Sequence, residues 1–235
     1  MIKPDLIISS KGLGVKTISF MTTKLLEDEL IELKQVKNRK KINKDFVTNL
    51  IEKPVIWMNQ GHGNIALEAS NQDIERIINA DALYSKEKGL AIAVETADCL
   101  PIILSSNVGS EIAAIHAGWK GLSGGIIEST LKLFTARLED VSAWLAPCIS
   151  AKNFEVGKDV FEIFEARGLE HFFIPNPIQE KWYLDLQWVA QNILHDYGLI
   201  VNSTNLCTFD ENHLFHSYRR DKTLRRMSTI VWNEE

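Results

Sequence analysis

The chain has 235 residues, 45% hydrophobic and 24% charged, a balance that suits one well-cored globular domain and excludes intrinsic disorder. Its formal net charge of −5 excludes a bulk positive field for nucleic acid or an anionic membrane surface, so any phosphate must be met by a local basic cluster. No apolar run approaches a membrane span, the start Met1 to Leu6 lacks the pattern of a signal peptide, and three widely spaced cysteines argue against a disulfide framework; a cytoplasmic, reducing setting is expected.

In chain order, residues 5–10 and 17–22 read as short strands around Gly12-Leu13-Gly14, and Leu26, Leu30 and Leu33 set a helical spacing over 23–36. A basic run over 34–44, with Arg39, Lys40 and Lys41, reads as a solvated surface. Phe46 to Ile51 is a short amphipathic helix stopped by Pro54, which lacks the amide donor that a helix needs. The apolar run Val55 to Met58 then leads into Asn59-Gln60-Gly61-His62-Gly63-Asn64, whose glycines permit a tight turn that would carry His62 inward.

Ala80 to Tyr84, Leu90 to Val94 and Ile112 to Ile115 read as strands, the last two ending close to Cys99 and His116. Glycines 118, 121, 124 and 125 precede Ile126 to Leu138, whose apolar positions predict a helix with one buried face. Gly124-Gly125 reads either as an anion-binding helix start or as a tight turn. Val141 to Ile149 predicts a strand, as do Leu199 to Phe209 and Met227 to Trp232. Asp159 to Ala166 and Leu186 to Tyr197 predict helices, with Gly168 and Gly198 as C-terminal caps and Asp185 as an N-cap. No internal repeat or linker is evident, and one domain is drawn over 1–235.

His62, Cys99 and His116 form a His, Cys, His set, too far apart for a zinc-finger knuckle and suited to separate strand ends. Thiolate sulfur and neutral imidazole take zinc readily, and three protein ligands with a fourth position open is the catalytic arrangement. The same spacing also fits a small buried cysteine and two structural histidines. His171, His195, His213 and His216 have no partner motif and read as structural or surface groups, and Cys148 and Cys207 as packing residues. Arg219 and Arg220 offer guanidinium forks for phosphate or carboxylate; on an extended segment only one of them can face a site. Lys120 is a further candidate phosphate contact. Asp98, beside Cys99, can orient a ligand or a bound water, and Trp119 either stacks on a purine ring or packs in the core.

Thr96-Ala97-Asp98-Cys99-Leu100-Pro101, His116-Ala117-Gly118-Trp119-Lys120-Gly121-Leu122 and Ser217-Tyr218-Arg219-Arg220-Asp221 resemble the signatures of the YfiH or laccase-domain family, also described as polyphenol-oxidase-like, as purine nucleoside phosphorylases and as peptidoglycan editing factors. Ala80-Asp81-Ala82-Leu83, Trp182 to Leu186 and Ala146-Pro147-Cys148-Ile149-Ser150 resemble further family segments; in the last, Ala146 and Ser150 stand where glycines are usual. The resemblance runs from His62 to Trp232. It is poorest at the start, where Ser19 to Lys24 lacks the family's Gly-rich turn and only Asn38-Arg39 matches.

The resemblance implies an α+β fold of mixed β-sheets covered by helices, with a metal, zinc or else copper, on His62, Cys99 and His116. It also implies metal-dependent phosphorolysis of adenosine, inosine, guanosine and methylthioadenosine by a monomer or weak oligomer. Adenosine deamination would run beside it, with Arg219 or Arg220, Lys120 and Asp98 on the substrate side. Three alternatives use the same residues: a Cys99 hydrolase editing peptidoglycan precursors with His116 as base, a copper polyphenol oxidase, and a structural zinc module. Multicopper oxidase sites need more histidines than the six present.

Overall fold

The computed structural model describes residues 6–26, 42–177 and 180–234. The strands follow as β1 (Ile7–Ser9), β2 (Thr17–Thr22), β3 (Val55–Asn59), β4 (Ala66–Glu68), β5 (Ile78–Asn79), β6 (Ala82–Ser85), β7 (Ala91–Thr96) and β8 (Leu100–Ser106). Beyond them lie β9 (Ile112–Ala117), β10 (Val141–Leu145), β11 (Glu155–Gly157), β12 (Phe173–Pro175), β13 (Lys181–Leu184), β14 (Ile200–Ser203) and β15 (Met227–Asn233). The helices are α1 (Ile42–Ile51), α2 (Trp119–Gly124), α3 (Ile126–Leu131), α4 (Lys158–Glu165), α5 (Leu186–Asp196) and α6 (Tyr218–Asp221).

Two six-stranded sheets carry the architecture, in the orders β1-β2-β15-β7-β3-β5 and β14-β10-β8-β9-β6-β4, with β11-β13-β12 as a small third sheet. Their side-chain alternation explains the continuous apolar runs: each central strand is buried on both faces. On β7, Ile92 and Val94 point between the sheets with Met227 and Val231 of β15, against Ile103, Ile112, Ala114 and Trp144 of the second sheet. Ala91 and Ala93 point the other way, with Ile230, Trp232 and Val47 of α1. On the outer face of the second sheet, Ile102, Leu104 and Ile115 pack under Leu122, Ile126, Val189 and Leu194 from three helices. The result is a helix, sheet, sheet, helix stack, the expected α+β class. His116 shares the face of β9 with Ile112 and Ala114, so it points between the sheets at their end.

Several expected boundaries move. Residues 24–26 are helical, but the rest of the helix expected over 23–36, with most of the basic run and Asn38-Arg39, lies outside the described residues. The helix expected over Ile126 to Leu138 stops at Leu131, because Glu111 captures the backbone N–H groups of Thr135 (2.9 Å) and Ala136 (2.8 Å) and the Thr135 hydroxyl (2.7 Å). The strand expected to Phe209 ends at Ser203, and the one expected to Ile149 ends at Leu145, with only an isolated bridge between Cys148 and Cys207 beyond them. Arg219 and Arg220 lie on the helix α6 rather than on an extended segment.

Candidate metal centre

The site lies at one end of the sandwich, where the loop after β3, the β7–β8 turn and the end of β9 converge. The candidate ligand atoms of His62, Cys99 and His116 all lie within 4.8 Å of one another. The two imidazoles meet edge to face, with centroids 4.6 Å apart. Among the described residues this is the cluster of His, Cys and acidic groups that can hold a metal ion.

Asp81, just before β6, builds it. Its buried carboxylate accepts the backbone N–H of His62 at 2.8 Å and of Gly63 at 2.7 Å, and pairs with His116 Nδ1 at 2.8 Å. The β6–β9 pairing aligns these groups, since the His116 N–H donates to the Asp81 carbonyl at 2.7 Å. With Nδ1 engaged, His116 keeps Nε2 for the cluster, the arrangement by which carboxylates orient metal-binding histidines. The left-handed residue of the turn is His62 itself, at φ 60, rather than a flanking glycine, and Asp81 compensates that backbone.

The other glycines serve close approach. Gly118, Gly121 and Gly124 recur at i, i+3 and i+6, bringing them to one face at α2. A Cβ at Gly118 would stand 3.0 Å from Cys99 Sγ, one at Gly121 3.0 Å from the Gly63 carbonyl, and one at Gly124 3.3 Å from Asn64 Cβ. The run thus folds as a helix laid against the His62 loop. Gly125, at φ 84, closes α2 with its N–H on the Leu122 carbonyl, so the anion-binding reading of Gly124-Gly125 gives way to the tight turn.

Burial opposes charge in the cluster, but contacts win. Burial pushes the Cys99 thiol up, yet hydrogen bonds and charge from His116 and His62 bring it down to about 6. Burial pushes His116 down, yet Asp81 and Cys99 raise it to about 9. Asp81 is held below its ordinary range: burial works against this, and the contacts with His116, Gly63 and His62 outweigh it. Without metal, the site is therefore a thiolate–imidazolium pair near neutral pH. Since the thiolate is the reactive form, alkylation of metal-free protein by iodoacetamide should rise with pH around a midpoint near 6. In His116→Ala that midpoint should move up toward the ordinary thiol range; mass spectrometry of Cys99 reads both.

A pocket of about 1170 Å³ opens over the cluster. Lys44, Arg76, Arg219, Lys222 and Arg226 line it against two acids, Glu95 and Asp98, and Glu95 already pairs with Lys44 at 3.3 Å. The pocket wall therefore carries more basic than acidic side chains, although the chain as a whole is acidic. Arg219 sits 5.0 Å over the Phe154 ring and donates through Nη1 to the Glu155 carbonyl at 3.0 Å. Trp119 lines the same pocket while packing on the core.

The other expected contacts stand elsewhere. Arg220 points away, donating to the carbonyls of Thr208, Phe209 and Phe215 and pairing with Asp221, so it fastens loops and does not join Arg219. Lys120 is exposed, 5.5 Å from the centre of the Trp119 ring, and does not line the pocket. Asp98 borders the pocket, but three donors already occupy its carboxylate. His171, His195, His213 and His216 lie outside the cluster, and Cys148 and Cys207 are buried. Asp81 is the site residue that sequence reading passed over, although its segment was singled out; a lone acid flanked by alanines at the start of an apolar strand was the available signal.

A family model described as multi-copper polyphenol oxidoreductase laccase matches residues 21–234. A Shigella flexneri protein named purine nucleoside phosphorylase YfiH is 39% identical over 185 residues, covering 78% of this chain and 75% of that protein. A Haemophilus influenzae protein named purine nucleoside phosphorylase is 40% identical over 185 residues, covering 76% and 74%. The crystal structure of a Neisseria meningitidis protein of the DUF152 family matches with a TM-score of 0.86 at 28% identity, covering 98% of this chain and 100% of that one.

Proposed function

We propose, from the premise that the chain belongs to the YfiH or laccase-domain family, that it is a metal-dependent purine nucleoside phosphorylase, acting on adenosine, inosine, guanosine and methylthioadenosine, with adenosine deamination at the same site. The observation that carries this reading is a single pocket holding the His62, Cys99, His116 cluster together with Arg219. The donor set fits zinc: one sulfur and two imidazoles, one of them oriented by Asp81, open on a pocket. When bound, zinc supplies Lewis acidity and lowers the pKa of water, the chemistry that deamination requires; copper suits the same donors.

In phosphorolysis a phosphate oxygen bonds to the ribose anomeric carbon as the bond to the purine nitrogen breaks, and the base leaves with the electron pair. Arg219 holds the phosphate and screens its charge, and its stacking on Phe154 limits where the guanidinium can go. Trp119, Phe154 and Tyr218 offer ring faces for the purine. Purified zinc-loaded protein should release hypoxanthine from inosine only with phosphate present; equal release without phosphate would rule phosphorolysis out.

A specific observation favours a second reading. Cys99, His116 and Asp81 form a thiolate, imidazole and carboxylate relay, the parts of a cysteine hydrolase acting on an amide, as peptidoglycan editing would need. That reading expects an acyl adduct on Cys99 in metal-free protein, and a clean thiol after exposure to the probe counts against it. The family description names a multicopper oxidoreductase, a chemistry that needs more metal ligands than the one three-residue cluster found among the described residues.

A further inference from the structure

We infer that Asp98 is a positioning residue for phosphate: it sets where Arg219 stands relative to the Cys99 corner without itself touching substrate. This inference rests on the phosphorylase reading. The Asp98 carboxylate is buried and accepts the Thr208 hydroxyl at 2.7 Å, the Ser217 hydroxyl at 3.0 Å and the backbone N–H of Arg219 at 2.6 Å. Its own carbonyl accepts the Ile149 N–H at 3.0 Å. Three protein donors thus occupy the carboxylate, two of them on one oxygen.

Helix α6 spans four residues, too few to hold a direction on its own. Its N-cap, Ser217, takes the Arg220 N–H on the same oxygen that donates to Asp98. The start of α6 is thus built onto Asp98, while one peptide bond further along the chain Asp98 becomes Cys99. A single residue joins the metal corner to a guanidinium 121 positions away in sequence. Its backbone sits at φ 90, a region that non-glycine residues seldom adopt and that persists where surrounding contacts over-determine it.

The test uses Asp98→Gly, which accepts the φ and removes the carboxylate with its Cβ. With zinc-loaded protein, the KM for phosphate should rise about tenfold or more, the KM for inosine should stay within about twofold, and zinc content should not change. Backbone hydrogen exchange over 217–221 should accelerate about tenfold. If Asp98→Gly fails to fold, Asp98→Asn is read the same way with a smaller rise, about threefold, since its carbonyl oxygen can keep the Ser217 hydroxyl and the Arg219 N–H while its NH₂ turns to the Thr208 hydroxyl. A phosphate KM that does not move, two KM values that rise together, or unchanged exchange over 217–221 overturns the proposal. Wild type that shows no phosphate dependence sinks the phosphorylase reading and this inference with it; phosphate-dependent wild type beside an insensitive variant sinks this inference alone.

Discussion

Cys99→Ala should lose stoichiometric zinc and cut inosine phosphorolysis by about 10³-fold or more, the scale of losing several kcal/mol of Lewis-acid stabilisation. The thiol is the only sulfur in the cluster and lies within 4.8 Å of a ligand nitrogen of each imidazole. The substitution removes one small, partly exposed atom, and Asp81 continues to hold both histidines, so the fold should survive with an unchanged circular dichroism spectrum. Metal analysis beside turnover decides the matter. A variant that keeps one zinc and turns over within tenfold of wild type would remove Cys99 from the centre.

Asp81→Asn should weaken zinc binding about 10–100-fold, the usual cost of losing a group that orients a metal-binding histidine. A carboxylate serves three partners here with acceptors alone. An amide must place its NH₂ either on the oxygen that faces the Gly63 N–H or on the oxygen that the His62 N–H and His116 Nδ1 share. In the first case the Gly63 N–H meets donor against donor; in the second the His62 turn, already at φ 60, loses its acceptor and His116 is driven to the wrong tautomer. Competition with a zinc-chelating dye gives the affinity. Wild-type affinity in Asp81→Asn would show that the two histidines hold their places without it.

The candidate ligands were marked in the sequence by the family resemblance of the segments around Cys99 and His116, since their spacing alone also fitted a buried cysteine and two structural histidines. Asp81 was not, because its partners are 18 to 35 residues away and only the pairings of β6 with β9 and with β4 bring them together. The end of α3 was misplaced for a similar reason: Glu111 reaches across 24 residues to Thr135, and nothing within the periodic stretch foretells that competitor. Arg219 and Arg220 look equivalent as neighbours on a strand. They separate once Ser217 and Asp98 start a helix beneath them, which sends one guanidinium to the pocket and the other to loop carbonyls. Glycines 118, 121 and 124 suggest a loop by propensity. They stand at the cap and on one face of a helix instead, where a Cβ at any of the three would crowd Cys99 or the His62 loop.

The position of β15 bears on how the molecule acquires its shape. The strand is among the last segments of the chain, yet it lies in mid-sheet, with Asn233 opposite Thr17 and Met227 opposite Thr96. Until it inserts, β2 and β7 each present an open hydrogen-bonding edge, and such edges are templates for pairing with other chains. Pairings of that sequence separation form slowly. Recovery from denaturant is therefore a contest between insertion of one strand and intermolecular pairing, and refolding yield should fall with protein concentration more steeply than equilibrium stability alone implies.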